Sequence, residues 1–332
     1  MLDERKASIL RAVVEEYIQT AQPVGSSHVA RASGVSVSPA TVRNEMAVLE
    51  DEGYLDQPHT SAGRVPTEKG YRFFVDSLSE PGRLGAAETQ QVRSFFAKAH
   101  GELEQMLADT SRLLSNITDY AAVVVAPPHE VATVRSAQLV GLSPRVALLV
   151  VVFSNGAVDK HTVELDAEVD EIRVNAAGAH LAAHLVGETL RLAPEVPSTG
   201  DPDTDAIVAA ARRTLVGGPD DADPVFVGGT ARMLASFDAV DTVRRVLTIL
   251  EQQLVVVTLV RDVLDRGLSV AIGSETGVEP LAECSLVVAP YTVEGEGVGT
   301  VGVLGPTRMN YPQALAAVAV VSQRLGTRLS EG

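Results

Sequence analysis

Between Ser38 and Arg72 the chain gathers side chains that donate hydrogen bonds to anions and to the edges of planar heterocycles. Arg43 and Asn44 are adjacent. A guanidinium can bond two acceptors of guanine at once, and a carboxamide matches the donor and acceptor of adenine. Ser38 and Thr41 precede and open the same apolar-periodic stretch, where the free N–H groups and dipole of a helix N-terminus favour phosphate. His59, Ser61, Arg64, Lys69 and Arg72 follow within "HTSAGRVPTEKGYR" (59–72), a locally basic segment suited to lying along a phosphate backbone. These nine residues are the candidate DNA contacts, with Arg43 and Asn44 as base readers.

Bond-making chemistry has no comparable constellation. Paired carboxylates, a nucleophile elbow and an HExxH spacing are all missing from the sequence, so no catalytic residue, metal or cofactor is expected. The single cysteine, Cys284, excludes an internal disulfide and reads as a small buried hydrophobe. The glycine-rich "VEGEGVGTVGVLGP" (293–306) lacks the lysine of a phosphate loop, and its glycines read as turns and close-packed strands.

The 332 residues carry a formal charge of −16. Residues 1–78 hold 8 Lys/Arg against 11 Asp/Glu, a net −3, so −13 lies in the remainder. That balance opposes nonspecific nucleic-acid binding but permits a local basic face, because exposed charges more than about 10 Å apart are screened. The first residues, "MLDERKASIL", mix both charge signs, and the longest apolar block, "VALLVVVF" (146–153), falls far short of a membrane span, so a cytoplasmic location is expected.

The elements that must position the candidate residues follow from periodicity and breakers. Ile9, Leu10, Val13, Val14, Tyr17 and Ile18 form one stripe of a first helix over 3–20. A short second helix starts near Ser26, a candidate N-cap, and ends at Gly34. Ser38 as N-cap with Pro39 at the first position predicts a third helix over 39–52 that stops at Gly53. On it Val42, Met46 and Leu49 face inward, leaving Ala40, Arg43, Asn44 and Ala47 outward; Glu45, Glu50, Asp51 and Glu52 repel phosphate and limit how far the helix lies in a groove. Residues 54–57 and 64–67 predict a hairpin around the turn 58–63, with Pro66 at an edge, and a helix resumes with Tyr71, Phe74, Val75 and Leu78 inward. Two short helices followed by a hairpin constitute a winged helix-turn-helix pattern.

Beyond a linker at 79–88, the spacing predicts a long helical region to about Ile117, then strands over 120–165 with a hairpin signal at Asn155-Gly156. Residues 166–240 read as mostly helical, a helix covers 241–266, and strands lead to a closing helix from about Tyr311.

The stretches "PVGSSHVA", "SPATVRNEMAVLEDEGYLDQPHTSAGRVPTEKGYRFFVD" and "LGPTRMNYP" bracket nearly the whole chain and closely resemble the heat-inducible transcription repressors of the HrcA family. The resemblance implies a homodimer that binds an inverted-repeat operator in double-stranded DNA upstream of chaperone operons, with repression promoted by a GroE-type chaperonin. It also implies an α+β multidomain fold: a winged helix-turn-helix domain (1–78), a GAF-like domain with an antiparallel sheet in two parts (79–165, including the linker and long helix, and 241–332), and an inserted, mostly helical dimerisation domain (166–240). A metabolite-sensing winged-helix regulator, with a ligand in the GAF-like domain, is the alternative function.

Overall fold

The computed structural model describes residues 2–59, 63–78, 82–98, 103–126, 133–154, 158–189, 195–216, 224–232, 240–266, 269–293 and 296–330. The first unit comprises α1 (Glu4–Thr20), α2 (Ser26–Val29), α3 (Pro39–Asp51), β1 (Leu55–Asp56), β2 (Val65–Pro66) and α4 (Glu68–Asp76). Asp3 caps α1 by accepting from the Lys6 amide at 2.9 Å, and the helix buries Ile9, Leu10, Val13 and Val14. Its apolar stripe meets Val42, Met46 and Leu49 of α3 and Tyr71 and Phe74 of α4 in one continuous core. Ser38 and Pro39 occupy the N-cap and first position of α3 as the sequence predicts; at α2 the N-cap is Gly25, and Ser26 is instead the first helical residue.

The hairpin is antiparallel, with Leu55 opposite Pro66 and Asp56 opposite Val65. Val24 adds a third rung, because its amide and carbonyl exchange hydrogen bonds of 2.9 Å with the backbone of Arg64. Helix α4 then closes against the hairpin: a Cβ at Gly70 would lie 2.3 Å from the Tyr54 carbonyl oxygen, so only glycine permits this approach.

Next, α5 (Ala86–Lys98) and α6 (Leu103–Thr118) divide the expected long helical region. A five-stranded antiparallel sheet follows, built from β3 (Ala121–Val125), β7 (Val225–Gly228), β8 (Val270–Ile272), β9 (Cys284–Val293) and β10 (Glu296–Pro306) in the order β7-β3-β10-β9-β8. Both faces are covered. Ala122, Val124, Val301 and Val303 share a core with α6 and α11 (Tyr311–Ser330), whereas Ala121, Val123, Val125, Leu286 and Val288 share a second with α9 (Val240–Glu251) and α10 (Gln253–Asp265). Helices α9 and α10 replace the single helix expected over 241–266, the break falling at Gln252 with φ −91° and ψ 83°. Gly299 fulfils the close-packing expectation for its segment: a Cβ there would stand 2.3 Å from the Tyr291 hydroxyl.

The remaining strands depart from expectation. β4 (Val134–Ser143), β5 (Val146–Phe153) and β6 (Val158–Glu164) do not join the large sheet but form a separate three-stranded one, order β4-β5-β6. One face of it packs against α7 (Glu171–Leu185) and α8 (Pro202–Val216). The excursion therefore leaves the large sheet after β3 and rejoins it at β7, and it is a mixed sheet-and-helix unit rather than a mostly helical one confined to 166–240. The Asn155-Gly156 signal lies outside the described residues, although the strands flanking it pair antiparallel.

Candidate nucleic-acid interface

Helix α3 owes its position to two forces acting on opposite faces. Val42, Met46 and Leu49 are buried against α1 and α2, which leaves Arg43 and Asn44 exposed on the outer side together with Ala40. Neither Arg43 nor Asn44 has a hydrogen-bond or ion-pair partner among the described residues. At the helix start, the Ser38 hydroxyl accepts from the Thr41 amide at 3.2 Å and shares a 3.0 Å hydrogen bond with the Thr41 hydroxyl. That cap fixes the first turn, where remaining free N–H groups point outward along the axis. The side chain of Arg31, exposed in the turn after α2, has no partner among the described residues either. Sequence reasoning did not single it out, since its placement depends on how α2 meets α3.

Three of the four acids on and just after α3 are held sideways, and Asp51 stays exposed. Glu45 pairs with Arg5 at 3.3 Å, Glu52 with Lys6 at 3.1 Å, and Glu50 with Arg64 at 2.7 Å. Glu52 holds the Lys6 ammonium above its ordinary pKa, chiefly through that hydrogen bond. Charges that would repel phosphate are thus partly neutralised within the unit.

The cations of 59–72 are distributed differently from the expectation that all of them face DNA. His59 is exposed in the hairpin turn; Ser61 lies outside the described residues. Arg64 is turned inward, its side chain 17% exposed and its guanidinium engaged by Glu50, with Nε buried and without a partner. Lys69 is exposed, but its ammonium donates to the Glu52 carbonyl at 2.8 Å and lies 4.3 Å from the centre of the Tyr54 ring. Arg72 points away from the hairpin altogether. Its Nε donates to Glu275 Oε1 at 2.9 Å, its Nη2 bonds Glu275 Oε2 and donates to the Val270 carbonyl at 2.7 Å, and its Nη1 reaches Asp76 at 3.3 Å. The bond to Glu275 raises the Arg72 pKa; burial pushes the Glu275 carboxyl up, yet the bonds from Arg72 and the Ile272 amide outweigh it and leave the carboxyl below its ordinary value. Arg72 joins this unit to the large sheet, a role that residue type and spacing do not reveal because its partner lies some two hundred positions away.

Elsewhere, among the described residues, no group of His, Cys, Asp and Glu has metal-binding geometry. Burial pushes the Cys284 thiol up to about 12, which keeps it protonated and unreactive. No described helix is long and apolar enough to cross a membrane.

The profile of the HrcA protein C terminal domain matches residues 104–315. The heat-inducible transcription repressor HrcA of Nocardia farcinica is 40% identical over 341 residues, covering 99% of this chain and 97% of the relative. The same-named protein of Acidothermus cellulolyticus is 40% identical over 342 residues, covering both chains completely. The chain belongs to the HrcA family of heat-inducible transcription repressors. A solved structure described only as a hypothetical protein at 2.2 Å resolution shares the fold, with a TM-score of 0.70 at 21% identity over 100% of this chain and 99% of the other. HrcA relatives are named as repressors, and this membership places the chain in transcription regulation and the heat-shock response. Arg43 and Asn44, exposed on α3, are where a preference for DNA sequence would be sought.

Proposed function

We propose that this chain represses heat-shock operons by binding an inverted-repeat operator as a homodimer, inserting α3 into the major groove. The observation that carries the reading is the pairing of exposure and freedom at Arg43 and Asn44, on a helix where Glu45, Glu50 and the C-cap Glu52 are each held by a cation. Arg43 and Asn44 read bases; Ser38, Thr41, Arg31 and Lys69 contact phosphate. The hairpin 54–67 serves as the wing, with His59 in its turn and Ser61 as a further DNA contact, making residues 1–78 a winged helix-turn-helix domain. Arg64 and Arg72 hold the unit together. The five-stranded sheet with its helices is the GAF-like domain, and the excursion between β3 and β7 is the inserted dimerisation domain.

A two-fold dimer doubles the bases read on a palindrome. The inserted sheet offers a surface for it. Ala147, Leu149, Val151 and Phe153 of β5 are buried on one side, while Val146, Leu148, Val150 and Val152 alternate onto the other, beside exposed Val140 and Leu142 of β4. An apolar sheet face of this kind fits a second copy of the chain. Leu148→Asp should convert the dimer to monomer in sedimentation, and an unchanged mass would remove this face from the dimer contact.

Family membership supports the remaining parts of the reading: a cytoplasmic repressor whose operator-binding fraction rises with a GroE-type chaperonin. Footprinting on duplexes selected from a random library by the purified chain, with and without chaperonin, tests operator and modulation together. Protection of an inverted repeat, strengthened by chaperonin, is expected; absence of any protected repeat would sink the reading.

One observation favours a ligand-sensing role as the second reading. A groove of about 570 Å³ lies between α10 and the turn after β8, lined by Leu254, Val255, Leu259 and Val278 with Asp262 and Arg266 at its polar side. Its size suits a small molecule. Operator binding that changes on adding a metabolite extract, and is restored on its removal, would favour this reading.

A further inference from the structure

We propose that α4 couples the DNA-reading unit to the large-sheet domain, and that Arg72 and Glu275 are positioning residues that set which half-site spacing the dimer accepts. The proposal rests on the operator reading above. It concerns geometry that neither unit possesses alone.

One side of α4 is fastened to the reading unit. The Thr67 hydroxyl donates to the Gly53 carbonyl at 2.7 Å, Lys69 donates to the Glu52 carbonyl at 2.8 Å, and Gly70 admits the Tyr54 carbonyl. Gly53 and Tyr54 directly follow α3, so any rotation of α4 is transmitted to the recognition helix.

The other side is fastened to the turn after β8. Glu68, one helical turn before Arg72, accepts from the Ser274 amide at 3.1 Å and from its hydroxyl at 2.5 Å. Arg72 grips Glu275 with two nitrogens and the Val270 carbonyl with one of them. That turn is itself rigidly held, since Glu275 Oε2 accepts from the Ile272 amide at 2.9 Å and Arg266 donates to the Glu275 carbonyl at 2.8 Å. The Tyr71 ring packs 5.9 Å from that of Tyr311 on α11.

Two features make this a device for orientation rather than simple adhesion. A guanidinium fork bonding a carboxylate is planar and directional, so it fixes angle as well as distance. Two anchor points, Glu68 and Arg72, stand one helical turn apart on the same face of α4 and land on Val270, Ser274 and Glu275, which blocks rotation about either point. Side chains of Arg72 and Glu275 are only 23% and 31% exposed, so the pair is partly shielded from solvent and salt. In a dimer, heads held rigidly on the sheet domains present their recognition helices at one separation. That preorganisation favours one spacing over its neighbours.

The test uses the full-length chain and its Glu275→Gln and Glu68→Gln variants, which keep side-chain shape. Affinity is measured for a single half-site and for inverted repeats whose spacer changes one base pair at a time. The wild type should peak sharply at one spacing. In Glu275→Gln the peak should fall by about tenfold towards its neighbours as the effective concentration of the second head drops, with half-site affinity unchanged. A merely structural role would lower half-site affinity equally and overturn the proposal, as would an unaltered spacing profile. A second measurement needs no DNA. Spin labels at Ser36→Cys and Glu279→Cys, both exposed positions, should give a distance distribution that broadens in Glu275→Gln. An unbroadened distribution overturns the coupling role; absence of wild-type binding to any inverted repeat sinks the operator reading and the spacing claim with it.

Discussion

Helices α3 and α4 belong to the same unit and each carries an arginine at a partly or wholly solvent-facing position, yet the two arginines do opposite things. Arg43 is exposed and has no partner among the described residues, whereas Arg72 is bound by Glu275, Asp76 and a backbone carbonyl. The helices differ in what surrounds them. One side of α3 packs on α1 and α2 and the other meets solvent, while α4 lies between the hairpin and the large sheet. A cation is therefore left free or bound according to what the fold places opposite it: in 59–72 Arg64 and Arg72 are bound by carboxylates, and only Arg72 reaches the large sheet, while Lys69 stays exposed.

The contrast can be broken at several points, with effects of decreasing size. Phe74 is 2% exposed in the core beneath α4, so Phe74→Ala should cost about 3–5 kcal/mol of stability in chemical denaturation. A loss below about 1 kcal/mol would mean α4 is not anchored as described. Arg43→Ala should leave stability unchanged and cost about 1–3 kcal/mol of operator affinity, with little change on random duplex; Asn44→Ala should behave alike at a different base.

Smaller effects separate Lys69 from Arg64. Lys69→Ala should make the dependence of log affinity on log salt shallower by about one unit, because the residue is exposed and no carboxylate among the described residues neutralises it. Arg64→Ala should leave that slope alone, since Glu50 already neutralises it. A shallower slope there would return Arg64 to the phosphate contacts.

The smallest effect concerns pH. Burial pushes the Glu275 carboxyl up, but Arg72 and the Ile272 amide outweigh it, and the lowered value means that its contribution is fully present above the unfolded pKa of about 4.3 and is lost only as pH falls through the folded value. Around Glu275 stand Arg72 and Arg266, with Glu68 and Asp76 nearby on α4. The label distances should thus be constant between about pH 6 and 8. Broadening within that window would contradict the lowered carboxyl.

Local signals made the reading unit legible. The apolar stripe of α1, the Ser38-Pro39 start of α3 and the stop at Gly53 are each decided by neighbours within a few residues, and all three are present. The same logic placed Arg43 and Asn44 outward correctly. It failed where the deciding partner is distant in sequence. Glu50 of α3 meets Arg64 at the start of the hairpin's returning strand, and Glu275 meets Arg72 from the turn after β8. The strands over 120–165 were recognisable by their β-rich composition, but composition does not say which sheet a strand joins: β3 pairs with β10 and β7 from distant parts of the chain, whereas β4, β5 and β6 form a sheet of their own.

The central claim is that the outward face of α3 reads base sequence. Its most direct test is fluorescence anisotropy of the full-length chain on an inverted repeat that it has selected from random duplexes, against the same repeat altered at one base pair per half-site, for wild type and Arg43→Ala. Wild type should lose about tenfold or more on the altered base pair that Arg43 reads, while Arg43→Ala should bind both duplexes equally. Equal discrimination by wild type and Arg43→Ala at every position would contradict the account.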